Sequence, residues 1–186
     1  MRCAVSTNKT VYVILGLLSE QPLSGYEIKK LIKLRFQFFW SESYGQLYPT
    51  LKSLVKDNLI QVFPLEKQSN RNEIKYCITD LGKEKLKEWL FVSPEKETIR
   101  LEILLKMYFS LNTPEVPMIE YLSAFKDNYS DAINTLNLFQ KELKQIAFKD
   151  NHEDILHIID FGQKVYKAYI EWSEETIKYF KRKNTK

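Results

Sequence analysis

The sequence predicts a mainly helical α+β protein in two parts, and three observations carry that reading. Residues 10–60 hold three short amphipathic segments separated by polar turns. Two β-favouring runs, LIQVFPL and NEIKYCIT, then flank the polar stretch EKQSNR, the pattern of a hairpin. Beyond Glu95 glycine and strand signals nearly vanish, and apolar residues recur at helical spacing. Residues 1–92 are therefore expected to form an α+β domain with a two-stranded hairpin, and residues 93–186 an all-α domain.

Each element has its own signal. The apolar run VYVILGLL, closed by SEQPLSG, reads as a buried helix followed by a turn. Ser24 is an N-cap with Glu27 three residues on, the spacing of a capping box. The second helix then runs through Ile28, Leu31 and Ile32 towards Phe36. Ser43 caps a third helix, which stops at KDN. After the hairpin, whose tip is polar and basic, Thr79 or Asp80 caps a fourth helix, LGKEKLKEWL. Pro94, Pro114 and Pro117 punctuate the second half into one short helix, over 95–111, and two long ones. Ile119, Leu122, Tyr129, Ile133, Leu136, Leu143 and Ile146 stripe the first long helix. Ile155, Ile159, Gly162, Tyr166, Tyr169, Ile177 and Phe180 stripe the second. Such stripes are coiled-coil-like and need partners to cover them.

Composition excludes several classes of function. Hydrophobic residues make up 44% and charged residues 28%, a globular balance. No apolar run approaches the roughly 18 residues of a membrane helix. No small-residue cleavage site follows VYVILGLL, so no signal peptide is expected. Cys3 and Cys77 are too few and too far apart for a disulfide framework or a metal site, and a cytoplasmic protein is the expectation. His152 and His157 fit no metal-ligand or triad pattern, and no phosphate-binding glycine loop appears. No enzyme activity, metal or cofactor is expected. The net charge of +4 is uneven: residues 1–92 hold 14 Lys+Arg against 9 Asp+Glu, and residues 93–186 hold 14 against 15. A basic excess in the first half is compatible with a polyanion partner.

The third helix, SYGQLYPTLKSL, carries a proline, which costs roughly 3 kcal/mol inside a helix. At 100° per residue Leu47, Leu51, Leu54 and Val55 share a buried face, and Gly45, Pro49, Lys52 and Lys56 lie opposite. Gln46, Tyr48 and Ser53 flank that outer face. Pro49 thus points outward near the helix start, and Gly45 lets the first turn approach a flat surface. An outer face of amide, hydroxyl, aromatic ring and lysine suits a duplex groove. Three helices followed by a basic-tipped hairpin are the winged helix-turn-helix arrangement, with the third helix in the major groove.

Three stretches, ILGLLSEQPLSGYEI, SYGQLYPTLKSLVKDNLI and YCITDLGKEKLKEWL, together resemble the PadR family of bacterial transcriptional regulators in order and spacing. IRLEILLKMYFSL and the long helices look like the C-terminal helical domain of its larger members. The resemblance implies a repressor that binds an inverted-repeat DNA operator as a homodimer, through the C-terminal helices and helix one. It implies that Ser24 and Tyr26 beside helix two, and Ser43, Tyr44, Gln46, Tyr48, Pro49, Thr50 and Lys52 on helix three, face the operator. Tyr48 suits a packing role as well. In the wing, Lys67, Asn70, Arg71 and Lys75 are the donors within reach, with Arg71 directed to the minor groove. The family's small, sometimes aromatic, effectors imply a pocket beside Trp89 and the helix over 95–111. The rival is a winged helix used for protein contacts, against which the lysines and missing carboxylates of helix three argue.

Overall fold

A computed structural model describes residues 8–40, 44–63, 74–110, 113, 116–145 and 152–183. The chain divides into two compact units, residues 1–96 and 97–186. In the first, α1 (Thr10–Glu20), α2 (Gly25–Arg35) and α3 (Tyr44–Lys56) precede a small sheet and α4 (Asp80–Leu90). The sheet has three antiparallel strands in the order β1 (Leu23–Ser24), β3 (Lys75–Ile78), β2 (Ile60–Val62). The expected two-stranded hairpin thus gains a third strand, because the turn between α1 and α2 pairs Leu23 with Tyr76 and Ser24 with Lys75. The hairpin tip lies outside the described residues.

Apolar periodicity explains the core of this unit. Ile14, Leu15, Leu17 and Leu18 of α1 meet Ile28 and Ile32 of α2 and Leu47, Leu51 and Leu54 of α3, all buried. Each such side chain contributes about 1.5–3 kcal/mol by leaving water. The first unit extends past Pro94 because Lys9 Nζ holds Glu95 Oε1 at 3.0 Å.

The start of α2 is fastened from two directions. The Ser24 N–H donates to Glu27 Oε2 at 2.7 Å, and the Glu27 N–H donates to Ser24 Oγ at 3.2 Å. Glu27 Oε1 also accepts from Lys75 Nζ of β3 at 3.1 Å. The Ser24 amide, first, and then Lys75 hold the Glu27 carboxyl below its ordinary pKa, against the opposing effect of burial. A folded-state pKa below the unfolded one gives stability that is complete above the unfolded value and is lost as pH falls through the folded value. Glu27→Gln is therefore expected to lower stability at pH 7 and to approach wild type near pH 3. Urea unfolding of both proteins at the two pH values checks this, and an unchanged gap would refute ionic bracing.

In the second unit α5 (Glu102–Phe109) is followed by α6 (Met118–Gln145) and α7 (His152–Lys183). The short helix expected over 95–111 is therefore confined to eight residues. The stretch before it carries no regular structure, with Glu95 engaged by Lys9 and the β-branched pair Thr98-Ile99 disfavouring helix. α6 and α7 pack along an aromatic ladder in which Phe125 and Tyr129 meet Tyr166, Tyr169 and Trp172 at 4.9–6.0 Å. Burial raises the phenol pKa of Tyr129 and Tyr166. The stripe residues Leu122, Leu136, Leu143 and Ile159 are buried, and Ile146 lies outside the described residues. His152 opens α7, and His157 is exposed on it.

Candidate nucleic-acid interface

The third helix runs from Tyr44 to Lys56 straight through Pro49. Proline at this position leaves the carbonyl of Gly45 without its helical donor, and both residues are exposed. Leu47, Leu51 and Leu54 anchor the helix from beneath. Gln46, Tyr48, Pro49, Lys52, Ser53 and Lys56 form one solvent face. The acid at its far end, Asp57, accepts from Ser53 Oγ at 3.2 Å. The face therefore presents amide, phenol and ammonium groups with no carboxylate in its first three turns.

Tyr26, the second residue of α2, is 64% exposed, and Tyr48 is 53% exposed. The Tyr48 ring also leans on Gly25, so it combines packing with exposure. Two residues expected at the operator face lie elsewhere. Ser24 is 3% exposed with its hydroxyl committed to the capping box, and Thr50 is 5% exposed. Thr50 Oγ1 instead accepts from Asn8 Nδ2 at 3.3 Å. Lys75 is paired with Glu27, which makes it a brace between the sheet and α2. Ser43, Lys67, Asn70 and Arg71, and the side chain of Tyr44, lie outside the described residues.

Gly25, buried beneath this surface, was not legible as its support. Its signal was present: after a capping serine any residue fits the backbone, so glycine there marks a close approach.

Trp89 stacks on Tyr12 of α1, with ring centroids 4.6 Å apart and planes 8° from parallel. A cavity of about 580 Å³ lies in the helical unit, lined by Leu104, Met107, Tyr108, Met118, Tyr179 and Phe180 among others, with Glu120 and Lys183 as its charged groups. Trp89 is not part of that lining. Among the described residues no cluster of ligating side chains suits a metal, and no helix is long and apolar enough to cross a membrane.

This geometry can be set beside known proteins. Residues 14–88 match the transcriptional regulator PadR-like family, and residues 99–181 match the virulence activator alpha C-terminal family. Residues 14–88 thus form a PadR-like domain. Members of that family are transcriptional regulators and not enzymes. The negative transcriptional regulator PadR of Bacillus subtilis is 42% identical over 100 residues, which cover 53% of this chain and 54% of that protein. The chain thus spans about half the length of the curated relatives it matches. Solved structures extend the likeness further. Bacillus subtilis PadR in complex with operator DNA has a TM-score of 0.79 and 25% identity, covering 95% of this chain and 99% of that one. The same protein in complex with p-coumaric acid has a TM-score of 0.70 and 27% identity, covering 91% and 97%. The PadR-like match covers the winged-helix unit, and the paired long helices fall within the second family match.

Proposed function

We propose that this PadR-like chain is a bacterial cytoplasmic repressor that binds an inverted-repeat operator as a homodimer. One observation carries the reading: α3 exposes Gln46, Tyr48 and Lys52 on a carboxylate-free face while three leucines bury the opposite side. The relative held on operator DNA supports it. Gln46 reads base edges, Lys52 contacts phosphate or guanine, and Tyr26 and Tyr48 reach the backbone or adjacent bases. The half-sites lie about one helical turn apart, as two-fold symmetry requires.

Selection of bound fragments from the source genome tests this and identifies the regulated genes. An inverted repeat among the winners is expected, and equal affinity for random duplex refutes specific reading. Absence of duplex binding at low salt favours a protein-contact role instead. Gln46→Ala is expected to lose about 1–3 kcal/mol of base discrimination. Lys52→Ala should weaken all duplexes alike and reduce the salt slope by about one. Filter-binding titrations at two salt concentrations separate these effects.

The cavity beneath Tyr108 and Tyr179 favours a second element, a small aromatic effector. Its volume falls in the range of small-molecule sites, roughly 300–1,000 Å³. The p-coumaric acid bound by the relative points to the same ligand class. Such a ligand releases DNA only if it binds the DNA-free state more tightly.

A further inference from the structure

We propose that Gly25 is a positioning residue for DNA reading: its missing side chain seats the Tyr48 ring and so sets where the Tyr48 hydroxyl points. The inference rests on the operator-facing reading of α3 given above. Gly25 has no positive φ, so its backbone does not call for glycine. Space does. A Cβ on Gly25 would lie 2.9 Å from Tyr48 Cε1, 3.4 Å from Leu51 Cδ1 and 3.6 Å from Tyr48 Cδ1.

The two sides of that contact differ in what can yield. Gly25 is buried and follows a residue fixed on three counts: the capping box, the pairing of Ser24 with Lys75, and the bridge from Lys75 to Glu27. Tyr48 is half exposed, and its ring is the far end of a side chain with open solvent beside it. An added methyl group therefore moves the ring and not the backbone. Carbon atoms in ordinary contact sit about 3.5–4.0 Å apart, so the ring must shift by roughly 0.6–1 Å. The hydroxyl, farther from the Cβ, moves more. Hydrogen-bond distances span only about 2.5–3.2 Å, so a shift of that size loses the bond. Position 25 thus acts through Tyr48 on what the duplex presents to it.

The test is a double-mutant cycle in the full chain with Gly25→Ala, Tyr48→Ala and the pair. The probes are a duplex selected by wild type from a random pool and a scrambled duplex of equal length. Gly25→Ala is expected to lower affinity for the selected duplex about 3- to 10-fold, the range of one hydrogen bond. Binding to the scrambled duplex and the melting temperature should barely change. In the Tyr48→Ala background, Gly25→Ala should have no further effect. Equal losses in both backgrounds overturn the inference. So does a fall in melting temperature that persists in the pair, since it would place the clash on the backbone. Lys52→Ala separates the inference from the reading beneath it. If Lys52→Ala leaves the salt slope intact, the α3 reading fails and takes the inference with it. If Lys52→Ala behaves as expected while the cycle is additive, only the role of Gly25 fails.

Discussion

Gly82→Ala is expected to destabilise the winged-helix unit by roughly 3–5 kcal/mol, at or beyond the upper end of ordinary overpacking. A Cβ at this position would lie 2.1 Å from the carbonyl oxygen of Leu59 and 2.8 Å from Ile78 Cγ1. Unlike the tyrosine ring over Gly25, the Leu59 carbonyl has nowhere to go. It accepts from the Thr79 N–H at 3.1 Å and from Thr79 Oγ1 at 3.0 Å. The same hydroxyl, sharing its one proton between the two carbonyls, lies 2.7 Å from the Asn58 oxygen and accepts from the Gly82 N–H at 3.1 Å. Asn58 has a φ of 55°, in the left-handed region, so the turn out of α3 is already confined. Moving Leu59 would drag Ile60, which is buried in β2. Thermal unfolding should show a loss of more than about 10 °C in the first unit, at roughly 4–8 °C per kcal/mol for a domain of this size. A loss of only a degree or two would show that the Thr79 knot relaxes freely.

That knot shows what sequence alone carried. The cap of α4 was legible as Thr79 or Asp80, and Thr79 fills it, because capping is local and its partners lie within one turn. The capping box at Ser24 and Glu27 was legible for the same reason. The apolar period of α3 placed Leu47, Leu51 and Leu54 on the buried side, where they lie. Thr50 falls 60° from Leu47, inside the buried arc, so its hydroxyl was never on the outer face. Ser24 Oγ accepts in the cap and keeps a proton to give, but at 3% exposure it lies out of reach of a phosphate.

What escaped sequence reasoning was non-local. Two residues, Leu23 and Ser24, have no strand period, and they become β1 only through pairing with Lys75 and Tyr76 some fifty positions later. The bridge from Lys75 to Glu27 spans 48 positions, so the partner of Lys75 was not legible. Trp89 was read as an effector-pocket residue, and its stacking partner Tyr12, 77 positions earlier, was not legible. The contact of Lys9 with Glu95 spans 86 positions and was equally invisible in the sequence.

If the proposed homodimer holds, removing residues 93–186 is expected to lower operator affinity by about 10²–10⁴-fold, because two recognition helices would no longer be joined on one operator. At 1.5 Å per residue, α6 with 28 residues and α7 with 32 are roughly 42 and 48 Å long. They cover one side of each other through the aromatic ladder and leave a second side bare. Tyr121 and Leu138 on α6, and Ile158, Phe161 and Tyr179 on α7, are exposed. On α5, Leu104, Leu105, Tyr108 and Phe109 are exposed, half of an eight-residue helix. Single exposed apolar residues need no explanation, but a helix with one buried and four bare large apolar side chains does. Under the proposed homodimer a second copy of the chain covers them and supplies a second winged helix. The fragment 1–92 retains the core of Ile14, Ile28, Leu51 and Ile60, so circular dichroism should show it folded. Its binding should then fall to that of one half-site, since linking two sites gives an effective concentration of order millimolar that a lone domain forfeits. Sedimentation should report a dimer for the full chain at micromolar concentration and a monomer for the fragment. A monomeric full chain, or a folded fragment that binds the operator as tightly as the full chain, would end the two-half-site account.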